Sequence, residues 1–216
     1  MNPEPANLLE CSTASFEAAQ DIAIDSPDIA SGYERLLRLW RDHAGEGHPS
    51  TPYVLAVDPV ADGDALLAWV ERELNAKSLD PNAAGLWFEF IWTDRAFLRV
   101  EELWLAEPHP DDRESRWDFG GWIDANRSPD EGSYFASMAY PATYDSDQGD
   151  HSYTFDMAYA GLLAAHVGRH LDPMLLKLHR PDALFYAGSH EGDAMFVGKL
   201  SQSGGWCQNT AREPVL

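Results

Sequence analysis

The sequence predicts an α+β fold, in which a largely antiparallel sheet, built from a meander and a C-terminal hairpin, has helices packed on one face. Three observations lead to this prediction. Apolar residues recur at helical spacing in the first third of the chain and again after residue 154. Between these segments the apolar period changes to 2, the period of a β-strand. Short connections join the strand-like segments, and such connections favour antiparallel neighbours.

Residues 1–27 lack sustained periodicity and are predicted to form a loosely ordered N-terminal arm, with a short helix near Phe16–Ile22. Residues 28–216 are predicted to form a single α+β domain. The first helix of this domain is indicated by apolar residues at positions i, i+3, i+4 and i+7, which are Tyr33, Leu36, Leu37 and Trp40.

The run PYVLAV (52–57) predicts a short strand. Asp62 is expected to cap a second helix, because its carboxylate can accept hydrogen bonds from free backbone N–H groups. The apolar stripe of that helix consists of Leu66, Trp69, Val70 and Leu74.

The strongest strand signal begins at Leu86, where large apolar residues alternate with other side chains. The predicted inner face consists of Leu86, Phe88, Phe90 and Trp92. Three further aromatic-rich segments extend this strand into a meander of three or four strands: FLRVEELWLAE (97–107), WDFGGWID (117–124) and SYFASMAY (133–140).

The segment FDMAYAGLLAAHVGRHL (155–171) predicts a buried central helix, because it is apolar almost all round and has small residues on one side. Thr154 or Asp156 is expected to cap it. Pro173 suits the first turn of a short following helix. Residues 183–200 then predict two strands joined by a glycine-containing turn.

The composition predicts a packed protein with a negatively charged surface. Hydrophobic residues make up 44% of the chain, whereas 36 acidic and 15 basic side chains give a net charge of −21. Such a charge disfavours nucleic acid and anionic membranes as partners. The imbalance is concentrated between Glu101 and Asp156, which contain 14 acidic and three basic side chains. A field of this kind can steer a basic partner.

A cytoplasmic location is expected from the start of the sequence, from the lack of a long apolar run and from the cysteines. The sequence begins without a basic segment followed by an apolar one, and it has no apolar run of membrane-spanning length. Cys11 and Cys207, the two cysteines, are too few for a disulfide-built scaffold and are expected to be free thiols.

The segment PHPDD contains residue types that can bind a catalytic metal: His109, Asp111 and Asp112. It resembles the signature of zinc-dependent deacetylases of the LmbE type, in which such a run supplies zinc ligands and a base. That resemblance implies a metal-dependent hydrolase. The segment departs from the family pattern by lying at mid-chain, by preceding Arg113 instead of Glu, and by lacking a later HxDH-like pair.

Other patterns that are typical of sites are incomplete. His166 and His170 have the i, i+4 spacing that can present two imidazoles to a metal, but the segment lacks the Glu of the metalloprotease signature. The stretch from Asp145 to Asp156 has acidic residues at some of the positions that bind the ion in a calcium loop. Its glycine, however, does not lie at the position that such a loop requires. The sequence contains no G-x-S-x-G nucleophile motif.

These observations favour a non-enzymatic, cofactor-free interaction module that binds a basic protein, such as a bacterial immunity protein that occludes a toxin. The charged rim of the predicted partner site consists of Asp111, Asp112, Glu114, Asp130 and Glu131. Trp117 and Trp122 are its candidate aromatic anchors. The alternative is a zinc hydrolase that uses His109, Asp111 and Asp112. The sequence makes no prediction of oligomeric state.

Purified protein should contain no stoichiometric zinc, because PHPDD lacks an identifiable third ligand and the expected position in the fold. Elemental analysis provides the measurement. About one zinc per chain, lost on His109→Ala substitution, would instead support the hydrolase hypothesis.

Overall fold

The computed structural model describes residues 13–43, 47, 51–92, 96–103, 133–134, 149–189 and 194–209. The α-helices of these ranges are α1 (Thr13–Asp25), α2 (Ile29–His43), α3 (Thr51–Ala56), α4 (Pro59–Ala76) and α5 (Gly149–His170). The strands are β1 (Gly85–Trp92), β2 (Ala96–Leu103), β3 (Ser133–Tyr134), β4 (Asp182–Ser189), β5 (Ala194–Ser201) and β6 (Gly205–Gln208). A 3₁₀ turn at Pro173–Leu175 follows α5.

The strands form one mixed sheet in the order β3-β2-β1-β4-β5-β6. Two antiparallel units, β1-β2-β3 and β4-β5-β6, meet at the parallel pair of β1 and β4. The parallel pair arises because α5 and the 3₁₀ turn come before β4 and return the chain to the start of β1. The predicted α+β class with a mostly antiparallel sheet is therefore confirmed.

The two faces of β1 separate as the alternation predicted. Leu86, Phe88 and Phe90 belong to the main core that the sheet forms with the helices. Trp87 belongs to a smaller apolar cluster on the opposite face, together with residues of β2, β4 and β5. Both faces of β1 are therefore buried, as expected for a strand in the middle of the strand order.

Helix α5 is the centre of the helical layer, as predicted. Every residue from Phe155 to Gly168 is buried, and the helix packs against α1, α2 and α4 as well as β1, β4 and β5. Its small residues permit this close packing: a Cβ on Gly161 would lie 2.9 Å from that of Ala23 in α1. Thr154 and Asp156 both lie inside this helix, which begins at Gly149, so the prediction that one of them caps it was wrong.

The prediction of a strand at 52–57 was wrong, since these residues overlap α3. A short apolar run has the same sequence signature in a strand and in a buried helical turn. Tertiary contacts favour the helix: Trp40 Nε1 of α2 donates to Thr51 Oγ1 at 3.0 Å, and the Tyr33 hydroxyl donates to the Val54 carbonyl at 2.7 Å. Val54 is thereby buried against α2.

Helix α4 begins earlier than predicted. Asp58, and not Asp62, is the N-cap, and its Oδ1 accepts a hydrogen bond from Ala61 N at 3.1 Å. Pro59 follows at the first helical position, where a missing N–H is tolerated. Asp62 instead lies in the first turn with its side chain buried.

The helix expected near Phe16–Ile22 is part of α1, whereas residues 1–12 of the predicted arm lie outside the described residues. Helix α1 spans 13 residues, and its Ala19, Ile22, Ala23 and Ile24 are buried in the main core. The sequence of α1 lacks the single apolar stripe that identifies a surface helix, because α1 lies between α5, α2 and β5 instead of covering one surface.

The C-terminal hairpin is confirmed as β4 and β5, and β6 adds a short edge strand that was not predicted. The segment 117–124 and most of 133–140 lie outside the described residues, apart from Ser133 and Tyr134 in β3. Among the helices described above, none is both long enough and apolar enough to cross a lipid bilayer.

Gly85→Ala should lower the free energy of unfolding by about 2–4 kcal/mol. Gly85 has a φ of +159°, and a Cβ there would lie 1.9 Å from the Leu184 carbonyl oxygen of the parallel neighbour β4. Chemical denaturation measures the effect.

Gly205→Ala is the matched control. Gly205 also has a positive φ, of +74°, but a Cβ would meet no atom within 4 Å. A loss of about 1 kcal/mol is expected from backbone strain alone. Equal losses in the two variants would contradict the close approach of β1 and β4.

Candidate functional site

The site residues predicted from the sequence lie outside the described residues, in the segment 104–132. They are His109, Asp111, Asp112, Glu114, Trp117, Trp122, Asp130 and Glu131. This segment connects β2 to β3, which are paired neighbours with Arg99 opposite Ser133. Both the partner site and the zinc site therefore stay predictions, and the groups that the structure does bring together are found elsewhere.

An ion-pair cluster lies on the sheet face opposite the helices. Glu89 of β1 is fully buried, and the register places it directly opposite Arg99 of β2. The Arg99 guanidinium donates to Glu89 Oε2 from Nε, at 2.7 Å, and from Nη2. Arg99 Nε also lies 2.8 Å from Glu101 Oε1. One guanidinium thus bridges two carboxylates, which offsets the free-energy cost of burying Glu89.

An aromatic row lies beside this ion-pair cluster on the same face. Trp87, Tyr186 and Phe196 come from β1, β4 and β5, and all three are buried. The Trp87 and Tyr186 rings are stacked with centroids 6.4 Å apart, and those of Tyr186 and Phe196 are 5.1 Å apart. Burial raises the pKa of Tyr186 to about 12, so its hydroxyl is neutral at physiological pH.

A second set of buried polar side chains connects four helices. The Tyr159 hydroxyl of α5 donates to Asp62 Oδ2 of α4 at 2.8 Å. Asp156, one turn earlier in α5, is also fully buried. Burial first, and then the charges of Asp156 and Asp62, raise the pKa of Tyr33 well above its usual value. Tyr33 is therefore a neutral donor, and its bond to Val54 connects α2 with α3.

The solvent-facing end of the contact between α4 and α5 carries a histidine cluster. His166 is only 7% exposed, and its Nε2–H donates to Asp64 Oδ1 across 3.0 Å. The ring of His170 lies 4.4 Å from that of His166 between centroids, and its Nδ1–H donates to the His166 carbonyl at 2.8 Å. Burial lowers the pKa of His166, with the bond to Asp64 opposing that shift. His166 is therefore neutral at pH 7.

Two arginines meet at Ser26, in the connection between α1 and α2. Arg35 Nη1 donates to Ser26 Oγ at 3.0 Å, and Arg169 Nη2 donates to the Ser26 carbonyl at 2.6 Å. Gln208 of β6 donates to the same carbonyl at 3.2 Å and accepts from Arg169. Burial lowers the pKa of Arg169, although Asp28 favours its charge. These bonds hold the end of α1, the end of α5 and the sheet edge together.

The described residues provide no group of three His, Cys, Asp or Glu side chains that could hold a metal ion. His166 and His170 do lie side by side, as their spacing predicted, but they bond to Asp64 and to the backbone. The second half of the calcium-like stretch is helical from Gly149 onward, so it does not form a calcium-binding loop. Cys207 is a free, exposed thiol, whereas Cys11 lies outside the described ranges.

Comparison of the chain with models of protein families, with curated proteins and with solved structures found no match. The site must therefore be interpreted from its own residues. Reasoning from the sequence missed the pairs Glu89–Arg99 and Asp62–Tyr159. A charged residue within an otherwise apolar strand, as in LWFEFIW, was the signal that could have identified Glu89 as buried and paired.

Arg99→Met should lower the free energy of unfolding by about 3 kcal/mol, because it removes the guanidinium from a fully buried carboxylate. Urea denaturation of the variant provides the measurement.

Lys199→Met is a control on the same sheet, because the pair of Lys199 with Asp182, at 3.0 Å, is largely solvated. It should cost less than about 1 kcal/mol. Similar losses in the free energy of unfolding for both variants would show that burial does not increase the contribution of the Arg99 ion pair to stability.

Proposed function

We propose that this chain is an acidic protein-interaction module that binds a basic protein partner, in the manner of an immunity protein that occludes a toxin. The observation that carries the proposal is the charge. An excess of 21 negative charges on a chain of this size attracts cationic surfaces and repels nucleic acids and anionic lipids.

The described structure supports the view that much of this charge faces solvent. Acidic residues of α1, α2 and α4 and of their flanking turns are exposed, among them Glu17, Asp25, Asp28, Glu34, Asp42, Asp58 and Asp64. In contrast, Arg99 and Arg169, two cations of the described part, are partly buried in contacts with the chain itself. These two cations therefore neutralise little of the exposed acidic surface.

The polar clusters of the described residues have structural roles that need no substrate. Arg99 bridges two strands, Tyr159 bridges α5 to α4, and Arg169 bridges α5 to the connection before α2. A binding module requires such a rigid framework, since affinity improves when the binding surface is ordered before association.

The partner surface is assigned to the segment between Glu101 and Asp156, where acidic residues are most concentrated; these two end residues are themselves held in contacts within the fold. In this proposal Asp111, Asp112 and Glu114 lie on a rim that steers the partner, and Trp117 or Trp122 provides the contact that slows its dissociation. The cytoplasm is the proposed compartment. The zinc hypothesis for His109, Asp111 and Asp112 stays a prediction, which elemental analysis tests.

Lys substitution of Asp111, Asp112 and Glu114 together should slow association with the partner by about tenfold at low salt and should reduce the salt dependence of the association rate. The partner is first identified by co-purification and then purified, so that association is measured with defined components by stopped flow across a salt titration.

The matched control places three lysines on α1 and α2, at Glu17, Asp25 and Glu34, which are exposed. It changes the net charge of the chain by the same amount. An equal effect in both variants would assign the attraction to overall charge and not to the proposed surface. An association rate that does not change with salt in the unsubstituted protein would contradict the proposal as a whole.

A further inference from the structure

We propose that the contact between α4 and α5 at His166 is an acid-sensitive clasp, which holds α4 in place at neutral pH and releases it when the imidazole is protonated. This conformational device is independent of the proposed partner binding. It follows from how closely His166 is enclosed and from which groups face it.

The enclosure leaves little room for water around the ring. A Cβ at Gly63 would lie 2.8 Å from Cδ2 and 3.1 Å from Nε2 of His166, so the α4 backbone itself covers one side of the imidazole. The His170 ring covers another side. A neutral imidazole suits this position, whereas an imidazolium would lose most of its hydration.

The charged groups that face His166 do not compensate for that loss. From α4, Asp64 accepts the Nε2–H bond, but its side chain is 67% exposed, so solvent weakens its attraction. From α5 itself, His170 and Arg169 disfavour a second positive charge. Asp62, one residue before Gly63, is bonded to Tyr159.

The sign of the pH effect follows from these competing influences. Burial lowers the pKa of His166 below its value of 6.5 in an unfolded chain, although Asp64 opposes the shift. The closed contact is therefore fully favoured above pH 6.5 and loses stability as the pH falls from there through the lower pKa of the closed form. Within that window the ratio of open to closed α4 rises by at most about tenfold per pH unit.

Release is expected to affect α4 before the rest of the protein. Helix α4 packs against α5, α2 and the 3₁₀ turn, whereas α5 also packs against α1 and four strands of the sheet. Opening α4 therefore exposes the residues of one helix face, Leu66, Val70 and Leu74, and leaves the sheet intact.

Two substitutions at exposed residues test the clasp without disturbing the core. Asp64→Asn removes the carboxylate that favours the imidazolium, so the pKa of His166 in the closed form should fall further below 6.5, and acid should release α4 to a greater extent. His170→Gln removes the ring that disfavours a positive charge on His166, so the pKa of His166 in the closed form should rise towards 6.5, and acid should release α4 to a smaller extent. A purely structural role of these residues would not produce shifts in opposite directions.

The experiment measures hydrogen exchange of the α4 amides between about pH 7.5 and 5, corrected for intrinsic rates, together with the NMR titration of His166. The expected result is that acidification lowers the protection of α4 by at most about tenfold per pH unit and lowers that of β1 and β4 much less. The loss in α4 should be larger in Asp64→Asn and smaller in His170→Gln, and the two variants should displace the His166 midpoint in opposite directions. His166→Gln should remove the pH dependence.

A titration midpoint of His166 at or above 6.5, its ordinary value, would overturn the proposal. So would unchanged protection of α4 on acidification, or an equal loss of protection in α4 and the sheet. If His166→Gln does not fold, the displacements in Asp64→Asn and His170→Gln decide the outcome.

Discussion

The burial of α5 is the constraint on which the rest of the structure depends. A helix that is apolar all round must be covered on every side, and here the sheet covers one side while α1, α2 and α4 cover the others. Because α5 also connects the two antiparallel units, its position determines that β4 returns beside β1. The parallel pair and the helical layer thus have one common cause.

Close packing around α5 determines which polar groups can be buried. Asp62 enters the core bonded to the Tyr159 hydroxyl, and Asp156 is buried where its charge raises the pKa of Tyr33. His166 is buried next to a glycine and an aspartate. The sheet follows the same rule on its second face, where Glu89 is buried opposite Arg99. Each pair joins two elements, so these polar contacts specify relative positions that apolar packing alone would leave less defined.

Features that depend on one element, or on two strands joined by a short turn, were predictable from the sequence, whereas contacts between other pairs of elements were not. The alternation in β1 and the apolar segment of α5 each contain their own period. Helix α3 was mistaken for a strand because its state depends on bonds from Trp40 and Tyr33. Likewise, Asp64 and His166 are 102 positions apart, so their contact required the packing of α4 on α5. The predicted partner residues fall within 104–132, and their roles remain predictions.

The inner cations and the outer acidic surface act at different ranges. Arg99 and Arg169 are held at short distance by acceptors of the same chain, so they screen the distant acidic residues only weakly. The remaining negative charges repel one another, which lowers the stability of the free protein. Under the proposed function a basic partner reduces this repulsion when it binds. The same charge that weakens the isolated fold would therefore contribute to the stability of the complex.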